Sequence, residues 1–265
     1  MLTRSLDKAK AAYKNRDIEA SKKAHMQEVK YAEEEHKQAQ GQYIKSLIYG
    51  GLDGIITTFA VVAGVAGAAL SPAVVLILGF ANLIADGLSM AIGDFLSTKA
   101  EKEYFLAEKA REEWEVEHFP EGEKREMIEL YMDKGLDKKD AETITLILSK
   151  NKKPWISIMM SEELGIIEDD SSPLKNAVVT FISFIVFGFI PLLTYVVSKF
   201  IPYISSNKFL LASILTGLTL FTLGAVKVKI TDKNWFLSGL EMFTVGGVAA
   251  TAAYGIGAFV SILVN

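Results

Sequence analysis

Ala85 to Glu129 reads ADGLSMAIGDFLSTKAEKEYFLAEKAREEWEVEHFPEGEKREMIE, and this stretch decides the fold. It begins as apolar sequence fit for a lipid core and continues as a Glu-rich helix, with no Pro or paired Gly between the two halves. That pattern predicts one rod that leaves a bilayer carrying acid. In the apolar half, Asp86, Met90 and Asp94 stand four residues apart. On a helix of 3.6 residues per turn each step drifts by only about 40°, so the three share a face. The polar half offers Glu112-x-x-Glu115 and, after a Pro-Glu-Gly turn, Glu123-x-x-Glu126. Carboxylates three apart on a helix reach one ion, so two such pairs above an acidic membrane stripe suggest a divalent-cation path with a loading platform over it.

Composition agrees with that division. Half of the 265 residues are hydrophobic and mean hydropathy is +0.26, yet 23% are charged. These values conflict for a soluble domain and fit an all-α polytopic membrane protein with a soluble insert. A net charge of −4 gives no basis for nucleic-acid binding, although charge is uneven: Glu101 to Glu129 holds eleven Glu against five Lys or Arg. With no cysteine, disulfides, iron–sulfur clusters and thiolate metal sites are excluded. The opening MLTRSLDKAKAAYKNRD has no apolar core, so a cleavable signal peptide is not expected.

Working outward, residues 1–42 read as a polar N-terminal helical arm, on which His25 and His36 are exposed residues rather than metal ligands. Residues 43–98 hold two transmembrane helices. The first, about Ile44 to Leu70, contains one acid, Asp53; an acid in such a span costs about 3 kcal/mol on insertion scales and normally faces a bundle interior or wet cavity. Gly50 and Gly54 in the same span let another helix approach closely. The second, about Ala73 to Thr98, carries Asn82, Asp86, Met90 and Asp94 on one face. Carboxylates with one thioether suit a borderline ion such as Fe²⁺ better than Ca²⁺ or Mg²⁺.

Residues 99–172 form a Glu-rich insert of short helices, the third capped by Asp137, in which Met159 and Glu163 could add one sulfur and one oxygen to the Glu pairs. Glu113, Glu117, Glu129 and Glu162 stand near enough in sequence to substitute for them, and His118 reads as a helix-end residue. The lack of His in the repeat disfavours a His-rich zinc or copper site. Residues 173–265 hold spans three to five, with a kink expected at Pro191 and Glu241 at an interface or path edge. Lys45, Lys99, Lys102, Lys175, Lys227, Lys229 and Lys233 flank one side against Lys199 and Lys208 on the other. The N-terminus and the insert are therefore expected in the cytosol. No P-loop, nucleophile elbow, HExxH or dinucleotide glycine pattern occurs, so neither ATP-driven transport nor an enzyme is expected.

The first-span GGLDGIITTFAVVAG, the second-span ANLIADGLSMAIGDFLSTKAEKEY and the long Glu-rich insert before the third span together resemble the vacuolar iron transporter family. The resemblance covers about residues 43–263. It implies a homodimer with the ion path between subunits, moving Fe²⁺, and often Mn²⁺ or other divalent first-row ions such as Zn²⁺ and Co²⁺, out of the cytosol into an acidic organelle in exchange for protons. It implies an internal membrane, vacuolar or other, and no prosthetic group. By motif, Asp53 and Met90 match path residues that contact the metal, with Asn82 and Asp86 lining the same face. Glu112, Glu115, Glu123, Glu126, Met159 and Glu163 match the ligands of the family's cytosolic metal-binding domain. The rival expectations are a membrane-anchored iron buffer or sensor that does not transport, and a ferroxidase-like use of the double Glu-x-x-Glu, which the missing His ligands disfavour.

Overall fold

The computed structural model describes residues 11–26, 38–169, 171–231 and 234–264, all helical or connecting, with no strand among them. The chain forms two units, Met1–Ala39 and Gln40–Asn265. In the first, the expected polar helix is interrupted: Arg16 adopts a positive φ of 54°, and helix α1 (Ile18–Met26) starts afresh with Asp17 accepting from the backbone N–H of Ala20 at 2.9 Å. A short Asx cap so placed restarts a helix that charge pattern alone would continue. The side chain of His25 and all of His36 lie outside the described residues.

The second unit contains α2 (Gln38–Gly67) from its third residue on, α3 (Pro72–His118), α4 (Pro120–Asp133), α5 (Lys138–Leu148), α6 (Lys152–Ile158), α7 (Pro173–Val197), α8 (Pro202–Ser206), α9 (Lys208–Thr231) and α10 (Trp235–Val264). Five of these are long and apolar enough to cross a membrane: α2, α3, α7, α9 and α10. Helix α3 has 47 residues, about 70 Å at 1.5 Å per residue, against a hydrocarbon core of about 30 Å. The helix is thus more than twice as long as that core, and it runs without a break from apolar into Glu-rich sequence. Along α3, Ile77, Ile84, Leu88 and Ile92 form an exposed apolar stripe. Asn82, Asp86, Met90 and Asp94 lie two residues out of phase with it, nearly opposite, and are half-buried.

Small residues set how closely the spans pack. A Cβ on Gly50 would meet the carbonyl oxygen of Thr180 at 2.6 Å, and one on Gly54 would strike that of Phe184, so this GxxxG face serves contact with α7 of the same chain. The shared core comprises Phe59, Val62, Val65, Val75, Leu83, Phe184, Leu192, Tyr195 and Ala212. Helix α7 runs through Pro191 without a break. Glu241 of α10 pairs with Lys227 of α9 at 3.9 Å.

The insert helices differ from expectation at one junction. Pro120-Glu121-Gly122 is the first turn of α4 rather than a turn before it, because Pro is tolerated where no helical N–H is needed; Phe119 alone joins α3 to α4. Asp137 caps α5 as expected, accepting from Asp140 N–H at 2.9 Å. After α6 the chain widens into a π-turn, Met159–Glu163. Phe105, Val116, Met127, Trp155, Ile156, Met159 and Met160 pack into a second core beneath these helices.

Candidate metal centre

The turn at Phe119 brings Glu123, on the first turn of α4, against the last turns of α3. One oxygen each from Glu112, Glu115 and Glu123 then lie within 4.8 Å of one another. The spacing explains the first two, which are one turn apart on α3; only packing of α4 onto α3 explains the third. Val116 and Met127 enter the insert core on either side, and this burial draws the neighbouring carboxylates inward. Glu112 and Glu123 are just 2% and 5% exposed, and the Oε2 of each has no hydrogen-bond partner among the described residues. Buried carboxylate oxygens are ordinarily satisfied, so two unpartnered ones facing a third carboxyl require a cation or protons.

Their proton affinities reflect this. Burial, opposed by Arg111 and reinforced by Glu163, Glu115 and Glu126, pushes the Glu112 carboxyl up to about 7. Burial, then the charges of Glu112, Glu126, Glu115 and Glu163, pushes Glu123 up to about 7. Burial followed by Glu126 also raises Glu163. Glu126 and Glu163 therefore act electrostatically on the same cluster while lying outside the close triad. Met159 is fully buried in the insert core with Met127 and Trp155.

The sequence left four other glutamates open. Two of them are occupied: Glu117 pairs with Lys152, and Glu162 with Lys134. Glu113 and Glu129 are exposed. His118 closes α3, its Nδ1 2.8 Å from the carbonyl of Trp114, as a helix-end residue does. Arg111 was not anticipated. Its guanidinium reaches Glu108 at 3.0 Å, Glu112 at 3.0 Å and Glu115 at 2.7 Å, and these carboxylates, Glu108 first, hold it more firmly protonated than usual. The spacing Glu108-x-x-Arg111-x-x-x-Glu115 was the available signal, since both intervals place partners on one helix face.

In the apolar part of α3 the stripe meets α2. Asn82 Nδ2 donates to Thr57 Oγ1 at 3.5 Å, and Thr57 donates to the carbonyl of Asp53 at 2.8 Å. Asp53 lies near enough to Asp86 for the two carboxyls to interact electrostatically. Met90 packs against the shared core. Asp94 is differently placed: Oδ2 accepts from Ser46 at 3.2 Å and Thr180 at 2.5 Å, and Oδ1 accepts from Thr98 at 3.5 Å. Asn176 of α7 completes this knot through Thr98 at 3.3 Å.

Five membrane-length helices and a helical insert holding three converging carboxyls define a polytopic helical membrane protein with the donor set for a divalent cation. Residues 44–258 match the family model described as the VIT family. The chain belongs to that family. It is 42% identical to a protein of Toxoplasma gondii named "Vacuolar iron transporter", over 99% of this chain and 90% of that one. A Plasmodium falciparum protein of the same name is 39% identical over 97% of both chains. "Vacuolar iron transporter 1" of Arabidopsis thaliana is 31% identical over 81% of this chain and 84% of its own.

Proposed function

We propose that this chain is a proton-coupled antiporter that moves Fe²⁺ from the cytosol into an acidic vacuole or related internal store. Mn²⁺ is a second substrate, and Zn²⁺ and Co²⁺ further ones, because carboxylates with one thioether do not separate these ions sharply. The observation that carries the reading is the desolvated, unpartnered pair Glu112 and Glu123 beside Glu115, at the outer end of the helix whose membrane part bears Asp86 and Met90. The printed names of the relatives favour iron and the vacuole.

In this scheme the insert, residues 99–172, faces the cytosol together with the 1–42 arm and gathers the ion with Glu112, Glu115, Glu123, Glu126, Glu163 and the sulfur of Met159. Asp53, Asn82, Asp86, Met90 and Asp94 line its way between two copies of the chain in a homodimer. Protons and metal compete for the same carboxylate oxygens, so an acidic far side releases the ion and loads protons for the return. No prosthetic group or covalent step is involved.

Anaerobic Fe²⁺ uptake into sealed proteoliposomes, with and without an acidic interior, tests this. Uptake that requires the gradient and is lost in Asp53→Ala, with the protein still folded, is expected. Metal binding without uptake would replace the proposal with the buffer or sensor reading, and full flux in the Asp53 variant would remove the assigned path.

A further inference from the structure

Arg111 sits among the carboxylates assigned to metal loading, yet a fixed cation is the one type of side chain that opposes metal there. Its Nη1 and Nη2 take Glu115 Oε2 and Glu112 Oε1, while Nε holds Glu108 Oε2. Among the described residues no other Lys, Arg or His forms an ion pair with Glu112, Glu115 or Glu123. Glu108 lies one turn before Arg111 on α3, outside the close triad, with its side chain 24% exposed. The guanidinium thus has two sets of partners, one inside the site and one outside.

We propose that Arg111 is a built-in, displaceable counter-ion of this site: it competes with the metal for Glu112 and Glu115, and on loading it retires to Glu108. The inference rests on the assignment of Glu112, Glu115 and Glu123 as metal ligands. Two features favour displacement over a permanent role. Arg111 is 45% exposed, so its head can swing into water with little hindrance, and its stem needs no backbone change to keep the Glu108 bond. Further, it leaves the Oε2 atoms of Glu112 and Glu123 unsatisfied, so the guanidinium neutralises the cluster only in part. A divalent ion brings twice the charge and reaches all three carboxyls at once. The consequence is a site that stays folded between ions and holds each ion less tightly than its ligand set would allow, which suits a platform that must hand its ion on.

The test is anaerobic Fe²⁺ titration by calorimetry on the full chain in detergent, with thermal unfolding recorded for each variant without metal. Arg111→Gln is expected to tighten Fe²⁺ binding about tenfold, the combined size of two partly exposed ion pairs, and to lower the metal-free melting temperature. Glu108→Gln is expected to do the opposite to affinity, weakening it several-fold, because Arg111 then has partners only inside the site. Arg111→Lys falls between wild type and Gln, since one ammonium cannot span three carboxylates. Weaker or unchanged binding in Arg111→Gln would overturn the competitor role and make Arg111 a positioning residue. If instead Glu112→Gln with Glu123→Gln leaves Fe²⁺ binding unchanged, the metal site itself is misassigned and the Arg111 proposal falls with it.

Discussion

Asp94 and Glu112 lie on the same helix, 18 residues or about 27 Å apart, the first half-buried and the second buried, and their surroundings differ in kind. Hydroxyls of Ser46, Thr98 and Thr180, from three helices, donate to Asp94. Glu112 has an arginine on one oxygen and no partner on the other, with Glu115 and Glu123 beside it. A carboxylate saturated by hydroxyl donors fastens helices together. One surrounded by its own kind is unstable as it stands and gains from a cation.

The strongest way to break this contrast is to neutralise each side. Glu112→Gln with Glu123→Gln is expected to weaken Fe²⁺ binding at least a hundredfold, by calorimetry, while raising the metal-free melting temperature, because two buried carboxyls, each with one oxygen left without a partner, are gone. Asp94→Ala is expected to lose about 2 kcal/mol of stability in a denaturant titration, the cost of stripping a charged acceptor from its donors, with Fe²⁺ binding at the insert unchanged. If the Asp94 variant lost insert binding instead, the two carboxylates would not be separable.

A pH titration sharpens the comparison further. Glu112 and Glu123 are raised from 4.5 to about 7, so the folded chain keeps protons there that the unfolded chain releases. Their contribution to stability is present below about pH 4.5 and is lost as pH rises through 7, so the metal-free melting temperature is expected to fall across that interval. Fe²⁺ affinity is expected to climb over the same interval, by about tenfold per pH unit for each proton displaced. A flat profile in either measurement would deny the desolvation. The smallest effect is reserved for Glu117→Gln, which breaks an exposed ion pair with Lys152: no resolvable shift in the same unfolding assay, and no change in metal affinity.

Most of the architecture was legible because apolar length and period are local properties. Five spans, the uninterrupted passage of α3 out of its apolar part and the Asp137 cap follow from spacing alone. Where prediction missed, long-range contact or a single backbone angle intervened: the positive φ at Arg16, the use of Pro120 inside α4, and the π-turn at Met159–Glu163. The candidate site was half legible. Glu112 and Glu115 share a helix face at any register, but Glu123 joins them only because α4 packs back on α3. Glu113, Glu117, Glu129 and Glu162 were indistinguishable as letters, and exposure or a lysine partner separates them from the triad.

The sequence by itself determined that this protein is helical, that five segments suit a membrane, and that acid is concentrated both within one span and just beyond it. These depend on the free energy of moving side chains between water and lipid, which is set residue by residue. Only the tertiary structure decided which acids are desolvated together, which is bound by hydroxyls and which is held by Arg111. Proton affinity, cation binding and helix fastening depend on the distances between groups remote in sequence, and those distances exist only once the helices have packed.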